Sequence, residues 1–144
     1  MADLRGRRVV LGVTGGIAAY KAAYLARSLA GLGADVTAIL TDAATSFVGP
    51  DTFAGLTGNP AYVSFWEAPG EIVHVRLAHD ADVLVIAPAT ANTIAKLAHG
   101  LADDLLSAVA PRSGRPAAPS AASPSPGADP SGGASNAVDR KSVV

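Results

Sequence analysis

One stretch near the amino terminus constrains the fold more than any other. Residues 9–21 read VVLGVTGGIAAYK, an apolar, β-branched run that ends in a glycine turn and passes into a helix-periodic segment. This order is typical of the first βα unit of a parallel α/β sheet, whose turn lies at the carboxyl edge, where such sheets bind ligands. Gly15 and Gly16 permit close backbone approach, and the first helical turn leaves N–H groups that suit a phosphate. A bare tight turn without a ligand is the alternative interpretation.

The spacing of the glycines restricts the kind of nucleotide. The dinucleotide fingerprint needs a third small residue at fixed spacing after G-x-G, which Gly12, Gly15 and Gly16 do not provide. A Walker A loop needs Gly-Lys-Ser/Thr, whereas Lys21 has no glycine before it and no serine or threonine after it. A mononucleotide such as FMN therefore fits this turn better than a dinucleotide or a P-loop ligand.

The hydrophobic pattern beyond this unit predicts strands that alternate with helices. The predicted strands are Arg8 to Val13, Asp35 to Leu40, a weak third one from Tyr62 to Phe65, and a buried fourth one from Val83 to Ala87. The predicted helices run from about Ile17 to Leu32, from a cap at Asp42 to Phe47, between Pro50 and Gly58, from the 88–92 loop to His99, and from Asp103 and Asp104 to Val109. An apolar face of the first helix is expected to contain Ile17, Tyr20, Leu25, Leu29 and Leu32.

This alternation predicts an α/β fold with a doubly wound, Rossmann-like parallel sheet that contains strands one to four. An exposed loop is expected before the fourth strand. The switch point lies between the first and fourth strands, so the 14–17 turn and the 88–92 loop are expected to face each other across one crevice.

Composition divides the 144 residues into two parts. Residues 5–110 are periodic and apolar and are predicted to form one domain, whereas residues 111–144 are rich in Ala, Pro, Ser and Gly and are predicted to be disordered. The formal net charge of −1 gives no electrostatic reason to expect nucleic acid or an anionic membrane as a partner. The sequence has no cysteine and no apolar run long enough for a membrane span, so we expect a cytoplasmic protein without a metal site.

Several polar residues near the predicted crevice have a functional and a structural interpretation. The Thr41 hydroxyl could reach a phosphate or ribityl oxygen, or it could begin the next turn, and Asp42 could bind a ribose or cap a helix. Thr90 and Asn92 could bond the polar edge of a flavin ring or cap the helix that follows them. His74 leads toward the fourth strand, where it could reach the crevice or serve a structural role.

Five motifs in register resemble the flavin-containing cysteine decarboxylase family, which includes the phosphopantothenoylcysteine decarboxylases. They are GVTGGIAAYK at 12–21, T-x-x-A-x-x-F at 41–47, HV-x-L at 74–77, APATANT-x-x-K at 87–96 and G-x-x-D-x-L at 100–105. The resemblance covers about residues 6–110. It implies the flavoprotein fold, FMN as cofactor, phosphopantothenoylcysteine as substrate and a homotrimer or dodecamer.

The resemblance also assigns residues. The matching cofactor contacts are Gly15, Gly16, Ile17, Ala18, Thr41, Phe47, Ala89, Thr90, Ala91 and Asn92, and His74 matches the active-site histidine. In this family the flavin oxidises the substrate's cysteine thiol, which makes loss of the carboxylate easier during coenzyme A biosynthesis.

The sequence also departs from the family pattern. A Pro-Ala-Met-Asn motif that binds the substrate carboxylate is absent, as is a flap cysteine that donates a proton, and Arg115-Pro116 stands where the next strand is expected. The C-terminal strands are therefore expected to be missing through truncation or a frameshift, and decarboxylation is expected to be impaired. A non-catalytic flavin-binding or regulatory subunit is one alternative function, and a flavin prenyltransferase is a weaker one.

Overall fold

A computed structural model describes residues 3–67 and 72–111. Three parallel strands form its sheet: β1 (Arg8–Val13), β2 (Asp35–Leu40) and β3 (Val83–Ile86), in the order β2-β1-β3. The predicted bounds of the first two strands are confirmed. Because β1 lies between β2 and β3, the chain reverses its direction of travel across the sheet beside β1. The predicted α/β class and the position of the switch point are thereby confirmed.

Helices cover both faces of the sheet. They are α1 (Ala19–Gly31), α2 (Pro50–Thr57), α3 (Val73–Asp80), α4 (Ala91–His99) and α5 (Leu105–Val109), with a 3₁₀ turn over Asp42–Ser46. On one face, α1 and α2 pack against β-strand residues that include Leu11, Val36 and Leu40. On the other, α3 and α5 pack against Val10, Ile39 and Leu84. Each strand thus sends alternate side chains into two separate cores, as a doubly wound sheet requires.

The buried face of α1 differs from the prediction. The helix begins at Ala19, and the residues that it buries are Ala19, Ala22 and Ala26. Ile17, predicted to lie on the inner face, is 80% exposed, and Tyr20 is also exposed. The reason is steric, because small side chains let the helix axis approach the sheet closely while the larger ones turn outward or lie at the margin.

The predicted third strand is reduced to a single bridge. Tyr62 donates to the Ala38 carbonyl and accepts from the Leu40 N–H, and no other residue of 62–65 pairs with β2. The Glu67 carboxylate instead accepts bonds from the N–H groups of Val63 at 3.1 Å and Ser64 at 3.0 Å. Since those donors are occupied locally, the chain turns away from the sheet after one residue.

The segment before β3 is helical rather than the loop that we predicted. The helix α3 buries Val73, Leu77 and Ala78, and its other five positions are His74, Val75, Arg76, His79 and Asp80. The buried residues Val73, Leu77 and Ala78 have helical spacing, but Val73, Val75 and Leu77 also alternate with polar residues, so the sequence alone does not give one period. The following strand is also less buried than predicted, since Val83 is 39% exposed. The predicted tail lies almost wholly outside the described residues, and its disorder stays a prediction.

Candidate functional site

Three loops meet at the carboxyl edge of the sheet, one after each strand. The 14–18 turn follows β1, the 41–47 segment follows β2 and the 87–92 loop follows β3. The buried Thr14 side chain connects the first and last of these, because its hydroxyl donates to the Pro88 carbonyl and accepts from the Thr90 N–H at 3.1 Å. The prediction that these two loops face each other is therefore confirmed. The Ala87–Pro88 peptide bond between them is cis.

The 14–18 turn presents backbone donors without acceptors. Among residues 3–67 and 72–111, nothing accepts a hydrogen bond from the N–H groups of Gly15, Gly16, Ile17 or Ala18. These groups lie at the N-terminus of α1, where Ala18 is the N-cap and provides no side-chain bond. The helix dipole adds a partial positive charge at the same end. Four unpaired donors at a helix N-terminus form an arrangement that suits an anion.

The two glycines of this turn differ in what surrounds them. A Cβ atom at Gly15 would lie 2.6 Å from the Ala43 Cβ and 2.9 Å from the Ala43 carbonyl carbon, so a side chain there would collide with the 41–47 segment. A Cβ atom at Gly16 would meet nothing within 4 Å. Gly15 therefore lets two loops pack together, whereas Gly16 leaves open space beside the unpaired donors.

The 3₁₀ turn after β2 is capped by Thr41 and not by Asp42. The Thr41 side chain accepts from the Ala44 N–H at 3.3 Å, and its own N–H donates to the Val13 carbonyl at 2.9 Å. The prediction that Asp42 caps this turn is wrong, because Asp42 is already its first residue and is exposed. The Thr41 hydroxyl keeps its proton free for a further acceptor. Phe47, at the end of the segment, is half-exposed.

The loop after β3 leads directly into α4. Thr90 is the N-cap of this helix, and its hydroxyl accepts from the Thr93 N–H at 3.3 Å and lies 3.1 Å from the Thr93 Oγ1. These contacts support the structural interpretation of Thr90, which is that it caps α4. Asn92 is exposed in the first turn of α4, and its side chain makes no hydrogen bond to the described residues, so its amide is available. Ala89 is half-buried and Ala91 exposed beside it.

His74 lies in the first turn of α3, with its ring edge-on to Phe65 at a centroid distance of 5.5 Å. The following strand is parallel to β1, so α3 runs back across the sheet and its first turn lies toward the carboxyl edge. The imidazole is half-buried and makes no hydrogen bond to the described residues. Its two ring nitrogens are therefore available for proton transfer or hydrogen bonding.

Sequence reasoning missed two residues that shape the site. Thr14 was assigned to the turn but not to the bond between the loops, and its partners lie 74 and 76 residues further along the chain. Ala43 packs on Gly15 and was not singled out. The only available signals were a threonine directly after a buried strand and a pair of alanines after Asp42. Neither pattern identifies its distant partner.

Comparisons with known proteins match most of the chain to one family. The sequence profile of the Flavoprotein family matches residues 1–125. The coenzyme A biosynthesis bifunctional protein CoaBC of Mycolicibacterium smegmatis is 47% identical over 102 residues, which are 71% of this chain and 25% of that protein. A probable phosphopantothenoylcysteine decarboxylase of Streptococcus mutans is 44% identical over 106 residues, 72% of this chain and 59% of that protein. The chain thus spans a quarter to three fifths of the length of these relatives.

Solved structures show the same fold. The FMN-dependent cysteine decarboxylase SpaF superposes with a TM-score of 0.69 at 37% identity, over 74% of this chain and 62% of that one. Among the described residues, no helix combines the length and the apolar character needed to cross a membrane. Since the family profile covers most of the chain and its fold matches that of a flavin-dependent enzyme, the chain belongs to the Flavoprotein family.

Proposed function

We propose that this chain binds FMN, with the phosphate on the 14–18 turn. One observation carries the proposal: four unpaired N–H groups of Gly15 to Ala18 adjoin the open space at Gly16. The donor set fits a phosphate monoester, which accepts several hydrogen bonds and gains from the positive end of the α1 dipole. The FMN dependence named for SpaF supports the same cofactor.

The remaining contacts follow from the positions of the neighbouring loops. Thr41 follows the strand beside β1, and its hydroxyl proton would bond a phosphate or ribityl oxygen. Ala89, Thr90, Ala91 and Asn92 would lie along the flavin ring, with the Asn92 amide and the backbone as donors and acceptors. Phe47 would supply an apolar contact. When bound, FMN would supply two-electron oxidation and reduction of the substrate.

We propose phosphopantothenoylcysteine as the substrate and its FMN-dependent decarboxylation, in coenzyme A biosynthesis, as the reaction. The support is the similarity to CoaBC and to the probable decarboxylase of Streptococcus mutans. His74 would contact the substrate, because its imidazole is half-buried near the carboxyl edge and makes no hydrogen bond to the described residues. A neutral imidazole has one ring nitrogen that accepts a proton, so it could bond the thiol of the bound cysteine.

One observation favours a second candidate function, flavin binding without turnover. The sequence contains no cysteine and no Pro-Ala-Met-Asn motif. If the reaction needs both groups, as the family resemblance implies, positioning of the carboxylate is lost, and this alone can cost several orders of magnitude in rate. Release of carbon dioxide from phosphopantothenoylcysteine distinguishes the two candidates: turnover would support the decarboxylase, and no release above background from a chain that binds FMN would support flavin binding without turnover.

The binding proposal is tested by titrating FMN into Gly16→Val and measuring the quenching of flavin fluorescence. The open space at Gly16 accepts the new side chain without a clash, so the fold should persist while the phosphate position is blocked. We expect affinity to fall at least about 100-fold, the loss of several charge-assisted hydrogen bonds. Gly31→Val is the matched control, since Gly31 is equally open and lies at the opposite end of α1.

Unchanged FMN affinity in Gly16→Val would overturn the proposed phosphate position.

We also propose that the protein is cytoplasmic and assembles as a homotrimer or dodecamer. The support for assembly is an apolar stripe on α1 and the turn before it, where Ile17, Tyr20 and Tyr24 are exposed. Analytical ultracentrifugation tests it: a protein that stays monomeric at micromolar concentration would contradict the assembly.

A further inference from the structure

The helix α4 carries one wall of the proposed flavin site but has little apolar anchorage. Of its nine residues only Thr93 is buried, and Leu97 packs partly against the core around α3 and α5. Burial of so little apolar surface cannot by itself fix the orientation of a helix. The polar contacts at its two ends must therefore contribute to its position.

The first end of α4 is held by the Thr14–Thr90 bond, and the last turn is held by Lys96. The Lys96 ammonium lies 3.1 Å from the Asp103 Oδ1 and 3.1 Å from the Asp104 Oδ2. Its side chain is only 21% exposed. The hydrogen bond to Asp103, followed by that to Asp104, raises the pKa of Lys96 above its ordinary value despite desolvation. The ammonium therefore stays charged at neutral pH.

Asp104 is itself fixed to α5. Its Oδ1 accepts from the Ser107 N–H at 2.7 Å and from the Ser107 hydroxyl at 2.8 Å, and the Ser107 side chain accepts from the Asp104 N–H in return. This capping box defines the start of α5. Lys96 is thereby joined to a carboxylate that has one fixed orientation.

The helix α5 is in turn locked to the end of β1. Leu106 is buried over Gly12, so closely that a Cβ atom at Gly12 would lie 2.5 Å from the Leu106 Cδ1. Gly12 precedes the 14–18 turn by two residues. A continuous set of contacts thus runs from Lys96 through Asp104 and α5 to the strand that ends in the proposed phosphate site.

We infer that Lys96 is a positioning residue for the flavin site. Its bonds to Asp103 and Asp104 hold α4, and with it the 87–92 loop, at a fixed distance from the end of β1. The Lys96 ammonium bonds to Asp103 and Asp104, neither of which is a proposed cofactor contact, so its effect on the site passes through α4. The inference rests on the proposed function in so far as the positioned loop is taken to bind FMN.

The test compares Lys96→Met with Lys96→Arg in the full chain. The methionine keeps the apolar stem and removes the charge, whereas the arginine keeps both. We expect Lys96→Met to bind FMN about fivefold more weakly, the effect of losing a partly exposed ion pair. In Lys96→Met, amide hydrogen exchange at residues 90–99 should accelerate while the β1 and β2 amides keep their rates. Lys96→Arg should keep both the FMN affinity and the exchange rates of the wild type. The control is Arg27→Met, an exposed cation of α1 with no contact to α4.

Two results would overturn the inference. One is unchanged exchange in α4 of Lys96→Met. The other is acceleration spread equally over α4, β1 and β2, which would indicate loss of overall stability rather than of local position. The two proposals fail separately: a wild-type chain that does not bind FMN refutes the cofactor, and the exchange pattern measured without flavin then decides the role of Lys96.

Discussion

The two edges of the sheet differ in whether their polar groups have hydrogen-bond partners. At the amino edge, the Arg8 N–H donates to the Asp82 carboxylate at 2.8 Å, and the Asp82 N–H donates to the Arg8 carbonyl at 2.8 Å. Nearby, the Asn59 amide donates to the Asp35 carboxylate at 2.6 Å. At the carboxyl edge, the four N–H groups of residues 15–18 have no acceptor in the described chain.

This difference identifies the edge that can gain most from a ligand. A groove of about 230 Å³ does exist at the amino edge, but it is lined by charges of both signs, such as Arg8, Asp35 and Asp80. Groups that already satisfy one another gain little by exchanging partners. Unpaired donors at the carboxyl edge gain charge-assisted bonds when an anion arrives. Available donors, rather than the size of a cavity, therefore indicate the functional edge.

The largest expected effect on stability separates the two glycines of the turn. Gly15→Val places side-chain atoms where Ala43 lies, and we expect it to lower the free energy of unfolding by about 3 kcal/mol, as overpacking does. Gly16→Val should lower it by less than about 1 kcal/mol. Urea denaturation monitored by circular dichroism measures both. Equal stability of the two variants would contradict the different packing of these positions.

The next effect concerns the bond between the loops. Thr14→Val keeps the shape of the side chain but leaves the Pro88 carbonyl and the Thr90 N–H without their partner, at a cost of about 1–3 kcal/mol. The matched control is Thr45→Val, whose hydroxyl donates to the Asp42 carbonyl at an exposed site and should matter by less than about 0.5 kcal/mol. Thermal unfolding compares them. A loss no greater than that of the control would show that Thr14 does not join the loops.

A smaller effect depends on pH. Burial raises the pKa of Asp104, but the bonds from Ser107 and Lys96 outweigh it and hold the pKa below the ordinary aspartate value. A lowered pKa in the folded state stabilises the fold above about pH 4, and the contribution is lost as pH falls through the folded-state value. The stability difference between wild type and Lys96→Met should therefore shrink on acidification. A difference that grows between about pH 6 and pH 3 would contradict this sign.

The smallest effect is expected at the amino edge. Arg8→Met removes an exposed cation that lies 3.8 Å from Asp80, and stability should change by less than about 0.5 kcal/mol. The FMN affinity should stay the same, because the edge carries no part of the proposed site. A loss of FMN affinity on this substitution would remove the distinction between the edges.

Sequence patterns predicted the parts of the fold that depend on local chemistry. Gly58, which was predicted to end the second helix, adopts positive φ, as does Gly100 directly after the predicted end of α4 at His99. The strand bounds of β1 and β2 followed from buried β-branched runs. The buried face of α1 was not predicted. Whether alanine or leucine faces the sheet depends on the distance between the helix and the sheet, and the sequence pattern does not contain that distance.

The candidate site shows the same division. The switch-point rule predicted which loops meet, since it depends only on strand order. The hydroxyl bonds of Thr14 and the contact of Gly15 with Ala43 were not predictable, because they depend on side-chain geometry between distant segments. The predicted third strand does not form for a similar reason. The Glu67 carboxylate accepts hydrogen bonds from two N–H groups, those of Val63 and Ser64, which were expected to pair within the sheet.

Binding of the FMN phosphate by the donors of residues 15–18 is tested most directly by comparing FMN with riboflavin. Riboflavin has the same ring and ribityl chain but no phosphate. We predict that wild type binds FMN at least about 100-fold more tightly than riboflavin, and that Gly16→Val reduces this ratio toward one. Equal affinities of wild type for the two flavins would contradict a phosphate site at residues 15–18.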